Sequence, residues 1–67
     1  MTTPIYPDIC VQLTGLDSNA MSLIAEVARA MRGEGIPEFD IGLFAQEAMS
    51  SDYDNVIQTC MKYVTVS

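Results

Sequence analysis

The chain has 67 residues, 49% of them hydrophobic, and nine acidic side chains stand against three basic ones for a formal charge of −6. This length sets one small domain, at the lower edge of what a single core stabilises unaided, and the acidity argues against direct nucleic-acid binding, which relies on Lys and Arg to neutralise phosphates. Histidine is absent, so the commonest general base and metal ligand is missing, Cys10 and Cys60 lack an activating partner, and an enzyme is not expected.

Residues 1–8 carry Pro4 and Pro7 and read as an extended N-terminal lead-in to a single domain over residues 9–67. From Ile9 to Thr14 apolar and polar residues alternate, which predicts a strand with Ile9, Val11 and Leu13 on its inner face. Gly15 then permits a turn, and Asp17, Ser18 and Asn19 have side chains that accept hydrogen bonds from the open amides of a helix start, expected near Asp17 or Ser18. The first helix runs to about Arg32, with Ala20, Leu23, Ile24, Val27, Ala28 and Met31 at core spacing and a weak ion pair between Glu26 and Arg29.

Gly33-Glu34-Gly35 reads as a left-handed helix cap, and Pro37 suits the first turn of a second helix ending near Met49. Ile41, Phe44, Ala45 and Ala48 form its expected buried stripe, flanked by Phe39 and Leu43. Gly42 within it marks either close helix packing or a tolerated surface position. Ser51 is the expected cap of a third helix, in which Tyr53, Val56, Ile57, Cys60 and Met61 follow helical spacing, and residues 63–67 alternate again as a short terminal strand. The result is an α+β domain of order β-α-α-α-β, its helices packed on a small sheet whose open edges invite extension by oligomerisation; the two strands lie parallel if the three helices run up and down, and composition leaves their direction open.

The turn from strand to helix is the candidate ligand site. Thr14, Gly15, Asp17, Ser18 and Asn19 gather amides at a helix N-terminus, which suits a small anion, and Arg29 and Arg32 hold most of the positive charge. Ordinary capping explains the same residues, and no dinucleotide or P-loop fingerprint accompanies them. Asp17, Asp52 and Asp54 read as helix-capping acids rather than metal ligands, and no metal or cofactor is expected. Both cysteines are expected as buried thiols of a reducing compartment, and Met21, Met31, Met49 and Met61 as core filling. No signal peptide or transmembrane run is present, which predicts a cytoplasmic protein without membrane association.

Val11-Gln-Leu-Thr-Gly-Leu-Asp-Ser-Asn-Ala-Met21 and Ser51-Asp-Tyr-Asp-Asn-Val-Ile-Gln-Thr-Cys-Met-Lys-Tyr-Val64 resemble a family of small uncharacterised proteins encoded by bacteriophages and bacterial genomes, over about residues 9–66. Ser18 stands where that family has glycine, and the first helix is less basic than is usual there, which weakens an anion site. The resemblance implies a phage or prophage accessory protein, acting in the host cytoplasm if phage-encoded. The leading expectation is a non-enzymatic homo-oligomer that binds a host protein partner and antagonises a bacterial defence system. The alternatives are an oligomer that sequesters a small anionic, nucleotide-like ligand at the glycine turn, and a structural subunit of a larger assembly.

Overall fold

The computed structural model describes residues 3–12 and 19–66. Among these the elements are β1 (Tyr6–Val11), α1 (Ala20–Gly33), α2 (Glu38–Ala48), α3 (Tyr53–Tyr63) and β2 (Val64–Val66), the expected α+β order. β1 and β2 pair in parallel, with Tyr6 opposite Val64, Cys10 opposite Thr65 and Val11 opposite Val66.

The first strand begins at Tyr6 rather than Ile9, inside the stretch read as a lead-in. Pro7 has no N–H to give to a ladder, and the pairing accordingly shifts register between Tyr6 and Cys10. Two bonds hold the irregular part: Thr65 Oγ1 donates to the Pro7 carbonyl at 2.8 Å, and the Ile5 N–H donates to the Lys62 carbonyl at 3.0 Å. Ile9 and Val11 are buried as their alternation requires. Leu13 and Thr14, the expected end of the strand, lie outside the described residues. Cys10 is exposed, contrary to the expected buried thiol, because the alternation that buries its neighbours turns it outward; Cys60 is buried, and neither forms a disulfide.

α1 starts at Ala20, two or three positions later than the expected Asp17 or Ser18, with the carboxamide oxygen of its cap Asn19 accepting the Met21 N–H at 2.8 Å. Leu23, Ile24, Val27 and Met31 form its buried face. Its end is a Schellman cap: the Gly35 N–H donates to the Arg32 carbonyl and the Ile36 N–H to the Met31 carbonyl, each at 3.1 Å. Gly35 at φ +85° supplies the left-handed residue this motif needs.

Pro37 is the N-cap of α2, one position ahead of its expected place, and Ile41, Phe44 and Ala48 are the buried residues. Asp52 rather than Ser51 caps α3, accepting the Asn55 N–H at 3.0 Å. The buried side of α3 is Val56, Thr59 and Cys60, while Tyr53 and Met61, read as part of its stripe, are exposed. At about 100° per residue Met61 lies far round the helix from Val56 and Thr59. Of the four helical methionines expected in the core, only Met31 is buried; Met21, Met49 and Met61 are 59%, 53% and 56% exposed.

α1 and α3 lie on the sheet, and α2 packs chiefly on α1 and α3, which makes it the outermost helix. Phe44, fully buried, meets the Tyr63 ring edge-to-face with centroids 5.2 Å apart and planes at 69°, joining α2 to the end of α3.

Candidate functional site

The residues expected at the glycine turn divide into two groups. Thr14, Gly15, Asp17 and Ser18 lie outside the described residues, whereas Asn19, Arg29 and Arg32 are described. The Asn19 side chain is engaged as the cap of α1. Arg29 and Arg32 are ten and thirteen residues further on, about 15 to 20 Å away at about 1.5 Å per helical residue. A single chain therefore does not bring the arginines to the helix start.

Both arginines hold carboxylates instead. Arg29 Nη2 donates to Glu26 Oε2 at 2.7 Å, the expected ion pair one helical turn apart. Arg32 grips Glu38 with two bonds, Nε to Oε2 at 2.6 Å and Nη2 to Oε1 at 3.1 Å, tying the end of α1 to the start of α2. The Arg32 guanidinium holds the Glu38 carboxyl below its usual range.

At the other end of α2, Glu47 accepts from Lys62 Nζ at 2.7 Å and from the Tyr63 hydroxyl at 3.0 Å. These donors depress its pKa, while burial and then the bond to Glu47 raise that of Tyr63, which stays a protonated donor. Asn55 Nδ2 donates to the Glu47 and Ala48 carbonyls at 2.9 and 3.3 Å, satisfying backbone acceptors that the end of a helix leaves open. Beside this cluster lies an open cleft of about 500 Å³, lined by Glu47, Asn55, Gln58, Thr59, Met61 and Lys62. Its hydrogen-bonding groups largely serve α2 and α3 themselves.

The most unusual surface is the outer side of α2. Phe39, 75% exposed, and Leu43 are one helical turn apart on the side opposite Ile41, Phe44 and Ala48. Gly42 and the exposed, uncharged Gln46 complete that ridge, and a Cβ placed on Gly42 meets no atom within 4 Å. This decides between the two readings of the glycine within the chain, because no neighbouring element approaches it. Phe39 and Leu43, expected to flank the buried stripe, are exposed. Their phase relative to Ile41 and Phe44, a half-turn away, was the available signal that α2 is apolar on two opposite sides.

Among the described residues, no three His, Cys, Asp or Glu side chains are grouped to hold a metal ion. No described helix is long and apolar enough to cross a membrane. No protein-family model, curated protein or solved structure matches the chain.

Proposed function

We propose that this chain is a non-enzymatic accessory protein that works by binding a protein partner, with the outer face of α2 as its working surface. The exposure of Phe39 beside Leu43 and the open Gly42 carries this reading, because an aromatic anchor on an uncharged ridge is the kind of group that supplies binding energy when desolvated. Both ends of α2 support it. Arg32 neutralises Glu38 and Lys62 neutralises Glu47, so the ridge lies between balanced charges in a chain of net charge −6. The resemblance to phage proteins directs the search to host proteins, with components of bacterial defence as the first class to test.

The test is affinity capture by the tagged chain from host lysate, followed by repetition with Phe39→Glu and with Arg29→Ala. The reading expects a specific host protein whose capture is lost with Phe39→Glu and kept with Arg29→Ala, since Arg29 lies on α1 and pairs with Glu26 one turn away on the same helix. Capture indifferent to Phe39, or no captured protein under several conditions, rejects it.

A further inference from the structure

We infer that the cleft between α2 and α3 is a second binding site, one that takes a small neutral polyhydroxylated ring such as a monosaccharide. It is separate from the outer face of α2 and does not depend on the reading of that face. Its floor is a stripe of α3: Asn55, Gln58, Thr59 and Lys62 stand at i, i+3, i+4 and i+7, on one side of the helix. Glu47 of α2 and Thr3 complete the polar lining, and the exposed Met61 stands at the margin turned away from the buried Val56 and Cys60. The open volume of about 500 Å³ lies in the range of small-molecule sites.

The side chain that points to a ligand is Thr59. It is 3% exposed, yet its hydroxyl makes no hydrogen bond among the described residues. No buried polar side-chain atom is sealed without a partner, so the hydroxyl oxygen keeps a share of that small exposure, on the cleft that Thr59 lines. Its neighbours are open as well. The Gln58 carboxamide makes no hydrogen bond, Asn55 gives its Nδ2 to the helix end and leaves its Oδ1 open, and Lys62 Nζ has donors beyond the one that meets Glu47.

Charge and hydrogen-bond type select the ligand. Lys62 neutralises Glu47, so the lining offers an ion no net attraction, and the chain's charge of −6 repels anions. Open donors and open acceptors are mixed along one short stripe. A planar amide presents donor and acceptor at fixed places, whereas adjacent ring hydroxyls each donate and accept, with hydrogens that rotate to suit the mixture. The C–H face of such a ring rests on Met61. The lining is open and includes no aromatic side chain, so the expected affinity is weak, on the order of millimolar.

Amide NMR of the full chain, titrated separately with glucose, galactose and mannose, tests this. At least one of them should give saturable shifts centred on Asn55, Gln58, Thr59, Lys62 and Glu47. Glucuronate, a ring of the same kind with a carboxylate, should bind at least about tenfold more weakly. Gln58→Ala, at an exposed position, and Thr59→Val, which replaces the hydroxyl by a methyl, should each stay folded and weaken binding about three- to tenfold. Phe39→Glu should leave it unchanged. No saturable shift with any of the three sugars, binding indifferent to both Gln58 and Thr59, or glucuronate bound as tightly as the neutral sugars overturns the inference. The readout uses no host protein, so that failure is distinct from a failure of host-protein capture.

Discussion

Gly42→Ala should stabilise the isolated subunit, and the size of the gain follows from how weakly α2 is specified locally. The helix has eleven residues, a proline N-cap with no side-chain hydrogen bond, and glycine in its interior. It persists because Ile41, Phe44 and Ala48 are buried against the neighbouring helices. The only left-handed glycine among the described residues is Gly35, and a Cβ at position 42 enters open space, so alanine introduces neither strain nor a clash. What remains is the difference in helix propensity, about 1 kcal/mol, which comes chiefly from the larger conformational freedom that glycine loses on folding. For a domain of this size that corresponds to a rise in Tm of about 4 to 8 °C. The measurement is thermal denaturation by circular dichroism at a dilution where wild type and variant are both monomeric by sedimentation. An unchanged or lower Tm would refute the argument and would mean that Gly42 meets something in the single chain. Gly35→Ala is the contrast: its surroundings are equally open, but φ +85° costs alanine about 1 to 2 kcal/mol, so Tm should fall.

Other expectations follow from burial and hydrogen bonding. Phe44→Ala should cost about 3 to 5 kcal/mol and abolish cooperative unfolding in so small a domain, read by denaturant titration. Asn55→Ala should cost about 1 to 3 kcal/mol by taking the side-chain donor from the Ala48 carbonyl, while the Glu47 carbonyl keeps its bonds from Ser50, and Asn55→Asp should cost more, because a carboxylate there faces two acceptors; equal losses would argue against the bond to the helix end. Thiol titration should find one fast-reacting cysteine in the native chain, Cys10, and two after denaturation; two fast native thiols would contradict the burial of Cys60. Burial pushes the Cys60 thiol up to about 11, so its protonated form is favoured by folding. That contribution is complete below the ordinary thiol pKa and lost as pH rises toward 11, and Cys60→Ala should flatten the alkaline limb of the stability profile. Glu47 has the opposite sign: its pKa is lowered on folding, so its stabilisation holds above the ordinary carboxylate pKa and fades as pH falls through the depressed value, and Glu47→Gln should flatten the acid limb.

The order of elements was legible because periodicity carries it. Ile9 and Val11 alternate, Leu23, Ile24, Val27 and Met31 recur at helical spacing, and the glycines and capping acids punctuate them. The errors fell where two local signals competed. Asp17, Ser18 and Asn19 are all good caps, as are Ser51 and Asp52, and composition does not choose between adjacent candidates; the last member of each run proved to be the cap. Pro7 argues for irregular chain ahead of Ile9, yet β1 includes it: the pairing shifts register around the residue that has no N–H, and the Thr65 hydroxyl donates to its carbonyl. Methionine gave no guide to burial. An unbranched side chain is tolerated on either side of a helix, and only the phase of Met31 with Val27 put it inside.

The candidate site was harder to read because its two halves obey different rules. Capping residues and arginines are recognisable by type, and that drew attention to both ends of α1, whose described members serve capping and ion pairing within the chain. The outer face of α2 is recognisable only by phase: each of Phe39, Gly42 and Leu43 has an ordinary explanation alone, and they become a surface only when set opposite Ile41, Phe44 and Ala48. The charges sharpen the point. Sequence counts three cations among nine acids and gives no sign of where they act, but folding assigns one to the start of α2 and one to its end. If those two pairs served stability alone, their exposure would make them weak contributors. On the proposed reading their position at both ends of the ridge keeps one face of a strongly acidic chain free of net charge, and Lys62→Glu, which puts a carboxylate beside Glu47, should then weaken partner capture more than it lowers the Tm.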